Sequence, residues 1–325
     1  MTDLAYVDLY RNVSSDIDKT LESAIDRLPV HSSNSVKDAV SEILQARQLK
    51  YPLCVLPIML HAAETGVGEP ATPLAAVHVL WWTSACYLDD LADAHSPVST
   101  GTLSGNEALL AAVLAGNSLP LQIIQDLDTS APVRKALTTE FLNGWTIGVE
   151  GQLSDFREKP GSAARESVIS AYRGKSGAPY GMITAMASIL SGAPSERTAM
   201  WREFGYVFGI LWQIFNDQED ILSGRHDDLR NGTVTYLLAC AVEDGLPADK
   251  EQLLELCAAA QQSEPARMHL TQMLRDPALL RRYQQDVTEI RDQAHRLLTA
   301  LGGEEKHLAM MRELVEDSAR IRLYL

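Results

Sequence analysis

Two long apolar segments of this chain each end in a short acidic cluster. Residues 72–86 precede DDLAD at 89–93, and FGILWQIF at 208–215 precedes NDQED at 216–220. In a helix, residues four apart lie on one face, so each cluster would bring oxygen-bearing side chains together. Carboxylates at the end of an apolar helix repel each other and lose hydration unless a cation lies between them. The pair of clusters therefore predicts a helical protein that binds cations.

The candidate metal ligands of the two clusters are all oxygen donors. They are Asp89, Asp90, Asp93, Asn216, Asp217 and Asp220. Hard oxygen ligands without His or Cys suit Mg²⁺, or Mn²⁺, rather than zinc, and phosphate groups of a substrate usually complete the Mg²⁺ shell. A solvated acidic face accounts for most single acidic runs, but it is a weak explanation for two such clusters.

Helical periodicity extends over nearly the whole chain, and no convincing run alternates as a strand does. The predicted helices cover residues 3–27, 34–48, 52–66, 72–94, 105–118, 131–157, 163–192, 195–223, 232–244, 249–262, 276–301 and 304–323. Breakers such as GVGEP at 66–70 and SGAPS at 191–195 separate them. Because no Pro/Gly/Ser-rich linker divides the chain, we expect an all-α protein with a single domain over residues 1–325.

The composition excludes several classes of partner. A formal charge of −15 argues against nucleic acid and against a basic membrane-docking face. The apolar run at 74–88 is too short and too polar for a membrane span, and the N-terminus lacks the pattern of a signal peptide. Cys54, Cys86, Cys240 and Cys257 show no CxxC spacing and indicate free thiols in a reducing compartment. We therefore expect a cytoplasmic protein.

Six segments, in their order and spacing, resemble motifs of the trans-isoprenyl diphosphate synthase family, the polyprenyl synthetases. They are DDLAD at 89–93, AGNSL at 115–119, VEGQLSD at 149–155, AYRGKSGA at 171–178, WQIFNDQED at 212–220 and DDLRNGTVTYLL at 227–238. The resemblance implies the isoprenoid synthase fold, a helical bundle around a deep central cavity with both acidic motifs at its mouth. It also implies three Mg²⁺ ions on a prenyl diphosphate substrate, and a homodimer formed through the mid-chain helices.

The resemblance assigns roles to further side chains. Lys175 would contact the diphosphate, Gln213 would lie near the carbocation, and Gln152 would bind substrate. Asn216 stands where the family has the first aspartate of the second motif. Its amide oxygen can coordinate a metal ion but carries no charge, so we expect weaker metal binding there. Departure of the diphosphate would leave an allylic cation, which survives only where water is excluded.

The chain departs from the family where isopentenyl diphosphate would bind. Arg47 and Lys50 keep an early cationic pair with the two residue types exchanged. The Gln or His that the family has seven residues before Asp89 is Trp82, and the Arg pair that follows the first motif is absent. An indole ring in place of a polar donor favours an apolar or stacked ligand over an anion.

Two lysines that follow the second motif in the family are Asp227 and Thr233 here, and Arg225 is predicted to replace part of the lost phosphate contact. In a chain of charge −15, such a site should bind isopentenyl diphosphate poorly. We therefore expect the prenyl group to pass to another acceptor, such as an indole that stacks near Trp82. A terpene cyclase, an ordinary chain-elongating synthase and a subunit without activity of its own are the alternatives.

The helix before DDLAD predicts the length of the donor. In the family, bulky residues four and five positions before the first aspartate close the cavity, and here these positions are Ala85 and Ser84. Trp81, one turn deeper, is large enough to close it again. We expect a twenty-carbon donor, geranylgeranyl diphosphate, with the fifteen-carbon farnesyl diphosphate as the alternative. Ordinary core filling explains either tryptophan equally well.

Overall fold

The computed structural model describes residues 4–29, 35–46, 52–92, 102–244 and 247–324. Three predicted site residues, Arg47, Lys50 and Asp93, lie outside these ranges. Within them the regular backbone consists of α-helices, short 3₁₀ turns and two π-helical turns, and no strand occurs. The prediction of an all-α protein is confirmed.

Sixteen α-helices fall within the described residues, and most of them match the predicted helices to within a few residues. They are α1 (Ala5–Asp26), α2 (Ser35–Ala46), α3 (Leu56–Thr65), α4 (Thr72–Ala92), α5 (Gly105–Val113), α6 (Leu119–Asp126), α7 (Ala131–Arg157), α8 (Arg165–Tyr172), α9 (Ala178–Leu190), α10 (Ser195–Ser223), α11 (Asp227–Asn231), α12 (Tyr236–Asp244), α13 (Pro247–Ala260), α14 (Glu264–Leu274), α15 (Pro277–Leu301) and α16 (Glu305–Ser318). The π-helical turns Leu114–Ser118 and Arg173–Gly177 join α5 to α6 and α8 to α9.

Local capping signals explain where helices begin. At the start of α5, the Ser104 hydroxyl accepts the Glu107 N–H at 3.4 Å while the Glu107 carboxylate accepts the Ser104 N–H at 2.9 Å. Helix α14 is not predicted by the periodicity. Its Ser263 hydroxyl accepts the Ala266 N–H at 3.4 Å and Pro265 lies in its first turn, so residues that interrupt the apolar pattern start a helix.

A short helix follows the second acidic motif, and the sequence pattern does not indicate it. Gly224, with φ +73°, ends the turn after α10, and Gly232, with φ +74°, ends α11. Glycine adopts these angles without steric cost. As a consequence, the helix predicted to begin at residue 232 begins at Tyr236.

Two compact units make up the chain, and each draws on separate segments. The first comprises Met1–Leu142, Ile183–Ala199 and Gly302–Glu313. Arg197 joins these three segments, because its Nε donates to both carboxylate oxygens of Glu64 at 2.7 Å and its Nη2 donates to the Gly302 carbonyl at 3.0 Å.

The second unit comprises Asn143–Met182, Met200–Leu301 and Leu314–Leu325. Buried aromatic rings pack edge to face in its core, with centroids 4.9 Å apart for Tyr180 and Phe208 and 5.8 Å apart for Trp201 and Phe204. Neither unit corresponds to a continuous stretch of chain. The assignment of a single domain to residues 1–325 stays a prediction.

Glycines let three segments of the second unit approach backbone to backbone. A Cβ at Gly174, in the π-helical turn, would lie 2.6 Å from the Gly151 Cα of α7. A Cβ at Gly209 of α10 would lie 2.6 Å from the Gly177 Cα. Packed atoms do not come this close, so a side chain at either position would force the neighbouring backbone to shift. The contacts fix α7 and α10 against the π-helical turn that carries Lys175.

One described helical stretch, Gly105–Asp126, is long and apolar enough to cross a membrane by length and composition alone. Half of its most apolar part is buried inside the protein. Core helices share this property, so the stretch is weak evidence for a span.

We expect Gly209→Ala to lower the free energy of unfolding by about 1–3 kcal/mol, because the new methyl group meets backbone that cannot rotate away. Urea denaturation followed by circular dichroism measures the change. Gly161→Ala is the matched control, since no heavy atom lies within 4 Å of its added Cβ, and it should change stability by less than about 1 kcal/mol. Equal effects of the two substitutions would contradict the close approach.

Candidate functional site

The first acidic motif begins in the last turn of α4. Asp89 and Asp90 are half-buried there. On the preceding turns Trp81 and Ser84 are 4% and 0% exposed, and Ala85 is half-buried. The Ser84 hydroxyl has no hydrogen-bond partner among the described residues. A buried hydroxyl without a partner costs stability, so this point of α4 is not packed for stability alone.

Trp82 lines a pocket of about 290 Å³ between α1, α2 and α4. Its walls are mostly apolar and its described lining contains no Lys, Arg or His. The lining residues are Tyr10, Ser14, Ile17, Asp18, Leu21, Glu22, Ile25, Ser41, Leu44, Gln45, Val79, Trp82 and Thr83. Trp82, where the resemblance implies a Gln or His, therefore lines a cavity whose described walls offer no cation to an anion.

The second acidic motif lies at the end of α10. Asp217 and Asp220 are 4% and 5% exposed, and Asn216 is half-buried. One oxygen of Asp217 accepts the Gln213 Nε2–H at 2.8 Å, and the other accepts the Tyr172 hydroxyl. Each oxygen thus accepts one hydrogen bond, and the two bonds together fix the orientation of this carboxylate.

A chain of hydrogen bonds extends from Asp217 in both directions. On one side the Ser176 hydroxyl donates to Gln213 Oε1 at 2.5 Å, so the Gln213 amide has a donor at one end and an acceptor at the other. On the other side Tyr172, which donates to Asp217, accepts the Tyr236 N–H at 3.0 Å. A continuous chain of hydrogen bonds of this kind orients its members.

Asp220 closes the turn after α10. Its two oxygens accept the Asp227 N–H at 3.1 Å and the Asp228 N–H at 3.3 Å, which are the first amides of α11. The Arg225 Nε lies 3.8 Å from Asp220 Oδ1, and the Arg225 side chain is 61% exposed. The guanidinium is therefore close to the motif and accessible to a ligand.

Lys175 lies in the π-helical turn and forms an ion pair with Asp155 of α7, with 2.9 Å between Nζ and Oδ2. Both side chains are largely buried. Gln152, three residues before Asp155, is half-buried. The contact between Gly151 and Gly174 explains the ion pair, because it brings α7 against the turn. Such π-helical turns occur frequently at functional sites.

Carboxylates outnumber basic groups in this part of the second unit. Burial raises the pKa of Asp217, although the hydrogen bonds from Tyr172 and Gln213 lower it in part. Removal from water, followed by the charges of Asp217 and Asp220, raises the pKa of Asp228 well above its usual range. Lys175 opposes both shifts in pKa. A bound cation would relieve the repulsion.

The donor set fits Mg²⁺ that binds together with a phosphate-bearing ligand. Within residues 4–29, 35–46, 52–92, 102–244 and 247–324, no three Asp, Glu, His or Cys side chains form a ready-made metal site. Mg²⁺ commonly takes one or two carboxylates and completes its shell with water and substrate phosphates. The half-buried carboxylates of α4 and the acidic end of α10 match this mode of binding.

A sequence model described as polyprenyl synthetase matches residues 59–274, well over half of the chain. The chain belongs to the polyprenyl synthetase family. The resemblance read from the six motifs is confirmed, and so, at the level of the family, is an enzyme that transfers prenyl groups. No curated protein sequence matches the chain significantly.

Solved structures of polyprenyl synthetases share the fold. A geranylgeranyl pyrophosphate synthetase from Pyrococcus horikoshii Ot3 is 18% identical, with a TM-score of 0.81 and 98% of each chain covered. A decaprenyl diphosphate synthase from Rhodobacter capsulatus is 17% identical, with a TM-score of 0.81 and coverage of 97% of this chain and 98% of that one. A geranylgeranyl pyrophosphate synthase from Corynebacterium glutamicum, solved with isoprenyl diphosphate and magnesium, is 19% identical, with a TM-score of 0.77 and coverage of 99% and 100%. At such identities the likeness establishes the fold alone.

The structure brings Lys175, Gln213 and Asp217 of the predicted site into one region of the second unit. Sequence reasoning missed four further members of that region, which are Asp155, Tyr172, Ser176 and Asp228. All four lie inside the motifs at 149–155, 171–178 and 227–238. Their position in these glycine-containing motifs was the feature of the sequence that could have identified them as site residues.

Tyr172→Phe should lower the free energy of unfolding by about 1–3 kcal/mol, because Asp217 loses a donor and the Tyr236 N–H loses its acceptor. Urea denaturation measures the loss. Tyr324→Phe removes a hydroxyl that donates to Gln284 at 3.2 Å from an exposed side chain, and it should change stability by less than about 0.5 kcal/mol. An effect at Tyr172 as small as that would refute the restraint on Asp217.

Proposed function

We propose that this protein is a Mg²⁺-dependent prenyltransferase that ionises an allylic prenyl diphosphate and passes the prenyl group to a small aromatic acceptor such as an indole. Membership of the polyprenyl synthetase family supports prenyl diphosphate chemistry. The choice of acceptor rests on one observation: Trp82 lines a pocket whose described residues include no cation.

Each acidic motif is assigned metal ligands. In the first motif they are Asp89, Asp90 and Asp93, and in the second they are Asn216, Asp217 and Asp220. The family resemblance implies three Mg²⁺ ions, with Mn²⁺ as a substitute. When bound, the ions neutralise charge that develops on the departing diphosphate. Asp217 has a second task, because its hydrogen bond sets the direction of the Gln213 amide.

Three side chains of the second unit are assigned to the donor. Lys175 is held by Asp155 before any ligand arrives, so its ammonium needs little reorganisation to meet a diphosphate oxygen. Arg225 offers an exposed guanidinium next to the second motif. The oriented amide of Gln213 would face the developing allylic cation. The diphosphate, rather than a strong side-chain base, takes up the proton that the acceptor loses.

The acceptor is assigned to the pocket at Trp82. Seven residues separate Trp82 from Asp89 on α4, which places them on nearly the same face and about 10 Å apart along the axis. A diphosphate acceptor would need cations here, and the described lining of the pocket carries Asp18 and Glu22 instead, while Arg47 and Lys50 lie outside the described residues. A neutral aromatic ring can stack on the indole without an electrostatic penalty.

Two other reactions are the alternatives to this proposal. Chain elongation to a longer prenyl diphosphate fits the names of the similar solved structures, which are prenyl diphosphate synthases, and the cationic pair Arg47 and Lys50 is present in the sequence. A terpene cyclase needs no second substrate and is consistent with the altered isopentenyl diphosphate positions. Both are outcomes of the assay described below.

We also propose a homodimer in which α7 packs against a second copy. Val149, Leu153 and Phe156 follow one another at helical spacing and are 45–49% exposed. A row of exposed large apolar side chains on one helix face is typical of an interface.

Incubation with geranylgeranyl diphosphate, Mg²⁺ and indole should yield an indole adduct and one pyrophosphate per adduct, detected by mass spectrometry and a pyrophosphate assay. When isopentenyl diphosphate replaces indole, no prenyl diphosphate with a longer chain should form. A longer diphosphate would instead establish chain elongation, and a hydrocarbon from the donor alone would establish a cyclase.

Asp89→Ala should reduce pyrophosphate release by about 100-fold or more. Asp8→Ala, an exposed carboxylate on α1, should leave it unchanged.

Ser84→Phe should shift the ratio of kcat/KM for twenty-carbon over fifteen-carbon donors by about tenfold towards the shorter chain, because the ring fills space beside α4. Competition between geranylgeranyl and farnesyl diphosphate measures this ratio. Ser84→Ala is the matched control, since it removes a hydroxyl that has no described partner. The cavity-floor assignment fails if Ser84→Phe keeps the original preference.

A further inference from the structure

The pocket at Trp82 has an apolar interior and an acidic edge. Asp18 and Glu22 are four residues apart on α1, so they lie on one face, and both are exposed. Behind them lie the apolar side chains Ile17, Leu21, Ile25, Leu44 and Val79, with the half-buried indole of Trp82. The volume of about 290 Å³ is close to the lower end of small-molecule pockets, roughly 300 Å³.

The charge of Asp18 also affects a second residue that lines the pocket, Tyr10. Burial, then the charges of Cys54 and Asp18, raises the pKa of Tyr10, which lines the same pocket. Burial, followed by Asp18, also raises the pKa of Cys54. The two carboxylates that line the pocket therefore favour a ligand that presents a hydrogen-bond donor to this edge.

We propose that Asp18 and Glu22 select the acceptor, which is an aromatic ring that carries an N–H donor. The ring lies among the apolar side chains with one face towards Trp82, and its N–H donates to a carboxylate at the edge. This inference rests on the proposed function. It adds the two residues of α1 that recognise the acceptor and the chemical class of that acceptor.

Recognition of the N–H also predicts which atom of the ring is prenylated. With nitrogen turned to the acidic edge, the ring carbons are the atoms left to meet the allylic cation. The C–O bond of the allylic diphosphate breaks and its electron pair leaves with the diphosphate. The π electrons of the ring form the new C–C bond, and the proton on that ring carbon passes to the released diphosphate, which restores aromaticity. The product is C-prenylated and retains its N–H.

The experiment compares indole with 1-methylindole as acceptors of the geranylgeranyl group. The wild type should prefer indole by about tenfold in kcat/KM, because a site that hydrogen-bonds an N–H discriminates against the analogue without it. In the double variant Asp18→Ala/Glu22→Ala the preference should fall to within about two- to threefold. The KM for geranylgeranyl diphosphate should not change, and NMR should assign the wild-type product as C-prenylated.

A matched control removes the same charge from the same helix. Asp8 and Asp16 are exposed carboxylates of α1 that pair with Arg11 and Lys19 and do not line the pocket. The variant Asp8→Ala/Asp16→Ala should keep the wild-type preference for indole. Equal loss of preference in both double variants would indicate a general charge effect and overturn the assignment.

The outcomes separate this inference from the proposed function. If the wild type forms no adduct with either indole, the proposed function fails and the inference fails with it. If adducts form but Asp18→Ala/Glu22→Ala retains the wild-type preference, the inference alone is wrong. A wild-type product prenylated on nitrogen would overturn it too, since the N–H could not then face the carboxylates.

Discussion

The close backbone contacts of Gly151 and Gly209 with the π-helical turn determine where the polar groups of the second unit lie. Gly151 brings α7 against the turn, which places Asp155 beside Lys175. Gly209 brings α10 against it, one turn before Gln213, which then accepts from Ser176. Glycine within a helix costs about 1 kcal/mol relative to alanine. The buried hydrogen bonds that the contacts permit offset this cost.

Much of the fold follows from the sequence because burial at helical spacing is a local property. The misses are local too: α6 begins at Leu119, directly after the helix predicted for residues 105–118, α14 begins at residues that resemble a break, and α11 lies between two glycines. The site is different. Lys175 and Gln213 are recognisable from their motifs, whereas the bond between Tyr172 and Asp217 joins residues 45 positions apart. No pattern along the chain encodes such a pair, since it depends on the helix crossing that the glycines create.

The proposed acceptor pocket at Trp82 shows the same limit of sequence reasoning. Trp82 stands out in the sequence because the resemblance to the family implies a polar residue at that position. Asp18 and Glu22 do not stand out, because acidic residues four apart on an amphipathic helix are usually solvated. Their significance comes from the packing of α1 beside α4, which sets two ordinary surface charges at the edge of an apolar pocket.

The glycines and the pocket edge differ in how much sequence change they tolerate. Substitution at Gly151, Gly174 or Gly209 meets backbone at once, so lineages that keep the fold have little freedom there. Asp18 and Glu22 are exposed on α1 and can vary at small cost to folding. Under the proposed role of these two residues, single surface substitutions would give access to new acceptor preferences, which would make this helix the natural target for directed evolution of the enzyme.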